Sequence, residues 1–237
     1  MPSSNRPLNL LHLDASARHG RGGIEPHGSW TRRLSDAFVQ RWLALRPQDT
    51  RTRRDLALQP PQPMPAHWVQ AAFTPQAEHD IGLQAVLAES DRMVAEVRAA
   101  DVLVIGMPMY NYGMPAPLKA WADLVVRYGE TFKLVRQPGE PTSYQPLLTD
   151  RPRRAVLLTS RGAEGFGPGG PYAAFNHADP ALRGVLAFIG ITDVEVIALE
   201  GEESGAPRFE AAVQAALAQT QALATRWAGV AEHAEAA

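Results

Sequence analysis

The chain contains no cysteine. Disulfides, thiolate nucleophiles, zinc–thiolate sites and cysteine-ligated clusters are therefore excluded. No apolar run approaches the roughly 20 residues of a membrane helix. The opening stretch, Met1 to Asn9, does not read as a signal peptide. A cytoplasmic protein without a membrane partner is the default expectation. Formal net charge is only −2, with no basic stripe, so no nucleic-acid surface is expected. The 7 histidines are scattered without ligand spacing, and no acidic cluster suggests a catalytic metal. There is no Gly-Lys-Ser/Thr of a Walker loop and no Gly-x-Ser-x-Gly elbow. A hydrolase triad thus lacks support.

What is present is an ordinary globular balance, 45% apolar and 20% charged over 237 residues. That suits one large domain spanning 1–237 with a sizeable core. The chain is organised around Val102 to Tyr112. Val102 to Ile105 is a continuous apolar run, as in a strand buried on both faces of a parallel sheet. Gly106 and Pro108 are expected to end it, before the aromatic-polar loop Met109-Tyr110-Asn111-Tyr112. A helix follows from Pro115 to about Arg127.

Other strands are predicted at Leu8–Asp14, Thr50–Leu56, Ala155–Thr159 and Asp193–Leu199. Helices are predicted at Trp30–Arg46, Gly82–Arg98, Pro180–Ile189 and Pro207–Trp227. Ala57 to Pro75 carries Pro60, Pro61, Pro63, Pro65 and Pro75 and is expected to hold no regular element. Thr131–Val135 reads as a small extended arm, Arg136–Pro152 as loop, and the tail from Ala228 as frayed. Strands alternating with helices predict an α/β, doubly wound, five-stranded parallel sheet of order 2-1-3-4-5 with helices on both faces. In that topology the loops after strands 1, 3 and 4 converge on one crevice.

The loop after strand 1 offers Ser16, Ser29 and Thr31. Hydroxyls at a helix N-terminus form a phosphate cradle, or they simply cap the helix. The aromatic loop offers a flat apolar surface with polar edges, or it simply caps the core. Gly165-Phe166-Gly167-Pro168-Gly169-Gly170 spells GxGxxG but does not turn directly from a first strand into a helix. It reads as a flexible loop or lid.

Several motifs together resemble the FMN-dependent NADH azoreductase and NAD(P)H quinone reductase family, which is flavodoxin-like. They are Pro108-Met109-Tyr110-Asn111-Tyr112, Leu118-Lys119 with Asp123, Thr131-Phe132-Lys133 and Thr159-Ser160-Arg161-Gly162. Phe188 to Asp193 and Glu200-Gly201 continue the match. The resemblance implies a homodimer that binds FMN non-covalently. It implies that Ser16, Ser29, Trp30 and Thr31 hold the phosphate, that Pro108 to Tyr112 lie along the flavin ring, and that Ser160, Arg161, Gly162 and Ala163 line its other edge. NADH or NADPH would reduce the flavin, and quinones or azo compounds would then take the electrons in a ping-pong cycle. No catalytic side chain is required of the protein, with Asn111 and Tyr110 in support. A flavodoxin-like electron carrier is the alternative, and a hydrolase the third reading. The chain departs from the family pattern in three places: extra residues between Arg18 and Gly28, Arg32 where asparagine is usual, and Ala163 for a second glycine.

Overall fold

The computed structural model describes residues 6–229. Strand β3 (Val102–Pro108) is buried along its whole length. It lies between β1 (Asn9–Asp14) and β6 (Arg154–Arg161), both parallel to it. Outside these run β2 (Thr50–Asp55) and β7 (Asp193–Glu200), giving the order β2-β1-β3-β6-β7. The two intervening strands, β4 (Phe132–Val135) and β5 (Ser143–Pro146), form a separate antiparallel hairpin. Within the main sheet the order is thus the expected 2-1-3-4-5.

Alternation along β3 feeds two cores. Leu103 and Ile105 face one side, against helices α2 (Ala66–Phe73), α3 (Ile81–Ala99), α4 (Ala116–Val125) and α5 (Asp179–Ile189). Val102 and Val104 face the other, against α1 (Trp30–Leu45) and α6 (Arg208–Trp227). In α1, Leu34, Phe38 and Trp42 recur every four residues and form one buried stripe. Phe38 stacks on Trp42 at 5.9 Å and meets Trp227 edge-on at 6.0 Å.

Several expectations need correction. Gly106 does not end β3, which runs on to Pro108, its last residue, opposite Ser160. The β1 pairing stops at Asp14 opposite Gly106, so no neighbour on that side needs the N–H that proline lacks. For the same reason Ser160 and Arg161 belong to β6 rather than to a loop. The proline-rich stretch 57–75 does contain a helix, α2, bracketed by Pro65 as its N-cap and by Pro75 just beyond Thr74. Prolines outside a helix delimit it without breaking its hydrogen bonds, and Trp68, Ala71 and Ala72 bury its inner face. The expected loop 136–152 contains β5, because the arm at 131–135 needs an antiparallel partner. Of the tail set apart at 228–237, Ala228 is buried as the α6 C-cap, and 230–237 lie outside the described residues.

Phe38→Ala should lower the unfolding free energy by about 3–5 kcal/mol, the cost of emptying a rigid aromatic site. Leu58→Ala, at 62% exposure, should stay within about 0.5 kcal/mol. Urea denaturation of both variants checks the contrast, and equal effects would contradict the core as described.

Candidate active site at three strand ends

The carboxyl ends of β1, β3 and β6 meet at a cavity of about 160 Å³. Ser16, Ser29 and Trp30 form one wall, Pro108 to Tyr110 a second, and Ser160 with Gly162 a third. Ser29 is the N-cap of α1 and accepts from the Arg32 amide. Its hydroxyl lies 3.0 Å from that of Thr31. Both residues are buried, so the open amides of the first helical turn lie beside two hydroxyls. This wall is suited to an anion. Thr31 stands behind Ser29 and does not itself line the cavity.

The segment between Arg18 and Gly28 is held in place. Gly22 donates to the Ser29 carbonyl at 2.9 Å, and Ser29 donates back to Gly20 at 3.1 Å. Gly22 also lies against Trp30: a Cβ there would come within 2.5 Å of the indole. This segment thus packs Trp30 into place, and Phe209 meets its ring edge-on at 5.1 Å.

The aromatic loop is a tight turn. Tyr110 and Gly113 exchange both backbone hydrogen bonds at 3.0 Å. Asn111 and Tyr112, at the corners, have φ of 48° and 69°. Positive φ is uncommon for a side chain as large as tyrosine. Such strain clusters at functional sites. The turn aims the Tyr110 phenol into the first loop, where it accepts from the Ala17 amide at 3.2 Å and lies 3.4 Å from Ser16 Oγ. Asn111 and Tyr112 stand at the rim, outside the cavity lining. The Tyr112 carbonyl accepts from His177 at 2.8 Å, tying this turn to the glycine-rich loop.

That loop does not open a helix, and its start is anchored. Glu200 accepts from the Gly165 and Phe166 amides at 2.8 and 3.1 Å. Arg161 is buried, and its guanidinium is turned away from the cavity onto Glu200 and Asp179, each at 2.6 Å. Arg161 does not itself line the cavity. Ser160 and Gly162 reach the cavity and Ala163 does not. Two acidic residues missed by sequence reasoning, Glu202 and Glu203, cover the mouth. Glu202 pairs with Arg18 at 2.5 Å. The signal available was Gly201, in a left-handed conformation directly after β7, which turns the chain back over the sheet end.

Beneath the first loop lies a buried charge cluster. Asp14, at the end of β1, accepts from Ser35 at 2.8 Å and from Arg53 at 2.7 Å. A His12 ring nitrogen sits 3.4 Å away without an aligned hydrogen bond. Asp55 takes two bonds from Arg32, at 2.5 and 2.9 Å. Burial opposes ionisation of both carboxyls, and their neighbours outweigh it. His12, Arg53 and Ser35 hold Asp14 well below the usual carboxylate range. Arg32 with the Leu58 and Ala57 amides lowers Asp55. Among the described residues no group of histidines and acids could hold a metal ion.

A family model described as flavodoxin-like fold matches residues 9–224. The FMN-dependent NAD(P)H:quinone oxidoreductase 1 of Pseudomonas aeruginosa is 46% identical over 202 residues, 85% of this chain and 91% of that protein. The FMN-dependent NADH:quinone oxidoreductase 1 of Pseudomonas fluorescens is 44% identical over 205 residues, 86% of this chain and 92% of the relative. Among solved structures, an azoreductase from Bacillus anthracis superposes with a TM-score of 0.79 at 23% identity, covering 92% of this chain and 99% of that one.

The lowered carboxyls predict an acid-sensitive fold. The unfolded chain holds these protons more tightly than the folded one. Their stabilisation is therefore complete above the unfolded aspartate pKa of about 3.9 and is lost as pH falls below it. Asp14 alone should contribute on the order of 2 kcal/mol at neutral pH. Urea midpoints at pH 7, 5 and 3 should fall mainly in the last interval. Asp14→Asn should be weaker at pH 7 and lose less on acidification. A wild-type midpoint that is flat down to pH 3 would remove the basis for this account.

Proposed function

This chain belongs to the flavodoxin-like fold family, and we propose that it is an FMN-dependent NAD(P)H oxidoreductase that reduces quinones, azo compounds or both. The observation that carries the reading is the convergence of three strand ends on a cavity with hydroxyls and a helix N-terminus on one wall and a strained aromatic turn on another. Two relatives above 40% identity, each matched over most of its length, are named for that chemistry and support the same class. The reading takes the chain as one flavin-binding domain and as a cytoplasmic enzyme. Among the described residues no helix is long and apolar enough to cross a membrane.

The donor set fits FMN. Ser16 and Ser29, with Thr31 behind and the amides at Trp30 and Ala17, supply hydroxyl and N–H donors for a phosphate dianion. Pro108, Met109 and Tyr110 offer an apolar edge to the ring, with Asn111 and Tyr112 at its rim. Ser160 and Gly162, at and just past the end of β6, would line the opposite edge, with Ala163 next in the chain. The cavity is smaller than the roughly 300–1,000 Å³ of ordinary ligand sites. Its volume is taken up by movable groups, the Tyr110 phenol in the cradle and the Arg18–Glu202 pair at the mouth. Withdrawal of Tyr110 frees the Ala17 amide and the Ser16 hydroxyl for a ligand.

Bound FMN would supply the two-electron chemistry, reduced by NADH or NADPH and reoxidised by the acceptor. The protein's own part is orientation and electrostatics. Backbone N–H dipoles of the aromatic turn at Asn111 and of the chain after β6 at Gly162 would stabilise negative charge at the ring's polar edge.

Purified protein should take up about one FMN per chain, quenching flavin fluorescence, and should oxidise NAD(P)H with a quinone. Reciprocal plots varied in both substrates should be parallel. Asn111→Ala should slow flavin reduction by about tenfold while weakening FMN binding less, because its contact matters most once charge builds. Protein that neither binds FMN nor oxidises NAD(P)H would end this reading, and intersecting lines would require both substrates to be bound together.

A homodimer is part of the same reading. Met64, Val69 and Phe73 of the proline-rich stretch and α2 are exposed beside Phe132 and Phe188, along an apolar groove. Phe73 stacks on Tyr128 at 5.2 Å, and Tyr144 continues the aromatic surface to Phe188 at 5.3 Å. A continuous apolar face of this kind is characteristic of a partner surface. Light scattering at micromolar protein should give twice the chain mass, and Val69→Glu should shift it toward monomer. A monomeric wild type with FMN bound would count against the pairing.

A further inference from the structure

We propose that Arg32 is a positioning residue for the FMN phosphate, acting on the first loop from behind; this rests on the FMN reading above. Arg32 lies on α1, three residues past the N-cap, and is 4% exposed. Its guanidinium faces away from the cavity. Nε donates to the Arg18 carbonyl at 2.8 Å, and Nη2 donates to the Ser16 carbonyl at 2.9 Å. The same fork grips both oxygens of Asp55, at 2.5 and 2.9 Å.

The geometry has a direct consequence for the other side of the loop. A backbone that turns its amides inward toward an anion must turn carbonyls outward. Buried outward carbonyls need donors. Arg32 supplies them at residues 16 and 18, on either side of the Ala17 amide, which donates to the hydroxyl of the cavity-lining Tyr110. Asp55 in turn fixes the guanidinium, so the loop, helix α1 and the end of β2 are joined through one planar group.

Charge alone does not account for the arrangement. Asp14 and Asp55 lie at 3.6 and 2.5 Å from Nη1, and Arg53 also reaches Asp14. The Arg32 charge is neutralised where it stands. What the fork contributes is direction. Lysine keeps the charge but is a point donor and cannot hold two carbonyls and a bidentate carboxylate together.

The test compares FMN with riboflavin, which lacks the phosphate. Both dissociation constants are read from flavin fluorescence in wild type, Arg32→Lys, Arg32→Gln and Arg32→Gln/Asp55→Asn. Unfolding midpoints are recorded alongside. All three variants should bind FMN about tenfold or more weakly, with riboflavin changed less than about twofold. Should Arg32→Gln fail to fold, Arg32→Lys carries the comparison. Wild-type FMN affinity in Arg32→Lys would overturn the proposal, because charge would then suffice. So would recovery of FMN binding in the double variant, which would assign the loss to an unpaired Asp55. Equal losses for both flavins would make Arg32 a support of the fold only. Wild-type protein that binds riboflavin as well as FMN would instead bring down the phosphate cradle itself, and the Arg32 proposal with it.

Discussion

The site depends on how closely β1, β3 and α1 approach at Gly106. The Ala15 amide donates to the Gly106 carbonyl at 2.9 Å, the last bond between β1 and β3. A Cβ on Gly106 would meet Asp14 Oδ1 at 3.0 Å and the Thr31 carbonyl at 3.1 Å. Any larger residue would push the first turn of α1 away from the strand ends. Ser29 and Thr31 would move with it, and Ser29 would shift in the cavity it lines with Ser16. The absence of one methyl group therefore sets the width of the crevice. Here the residue is not used for a turn or a positive φ but for room, inside a strand where glycine otherwise costs stability.

The charges beneath that contact follow from the same crowding. Asp14 is 1% exposed, and desolvation alone would disfavour its charge. Buried ion pairs are weak evidence for stability, since hydrophobic packing often does as well. A hydrophobic replacement at residue 32 could fill the volume but could not hold the carbonyls of Ser16 and Arg18. Beyond its pH-dependent contribution to stability, the cluster fixes the path of a loop. It converts a glycine-bearing connection of residues 15–28 into a surface with defined donors.

Much of this was legible in the sequence because it rests on periodicity and on strand ends. The apolar run at 102–105, the stripe Leu34, Phe38, Trp42 and the N-cap Ser29 are local signals, and the structure keeps each of them. The hydroxyls of Ser16 and Ser29, Pro108 to Tyr110, Ser160 and Gly162 do meet at one cavity. What was not legible depends on partners distant in the chain. That β3 runs past Gly106 as far as Pro108 is decided by Thr159 and Ser160, which pair with its last two residues, and by β1, which has already stopped. Whether prolines forbid a helix depends on their flanking it, as at Pro65 and Pro75. The direction of the Arg161 side chain is set by Asp179 and Glu200, and no local pattern around residue 161 reports it. The acids at the mouth, Glu202 and Glu203, arrive from beyond β7 because the sheet order carries that strand end beside β6.

The strained turn shows how the remaining parts are coupled. Two residues in sparsely populated backbone conformations cost about 1–3 kcal/mol each. They persist because surrounding contacts determine them more than once. Tyr110 and Gly113 close the turn, and His177 holds the Tyr112 carbonyl. The Tyr112 ring packs between Phe166 and Phe175, at 6.1 and 5.8 Å. Phe166 is itself held by Glu200, which Arg161 fixes from the core. A rigid line of contacts therefore runs from the buried end of β6, through the glycine-rich loop, to the corner of the aromatic turn. The Tyr110 phenol, at the free side of that corner, has no such support beyond the first loop's own donors. The turn's backbone is thus fixed, while its leading side chain is held at the Ser16 hydroxyl and the Ala17 amide. A ligand entering the cradle meets resistance from one hydroxyl rather than from the fold.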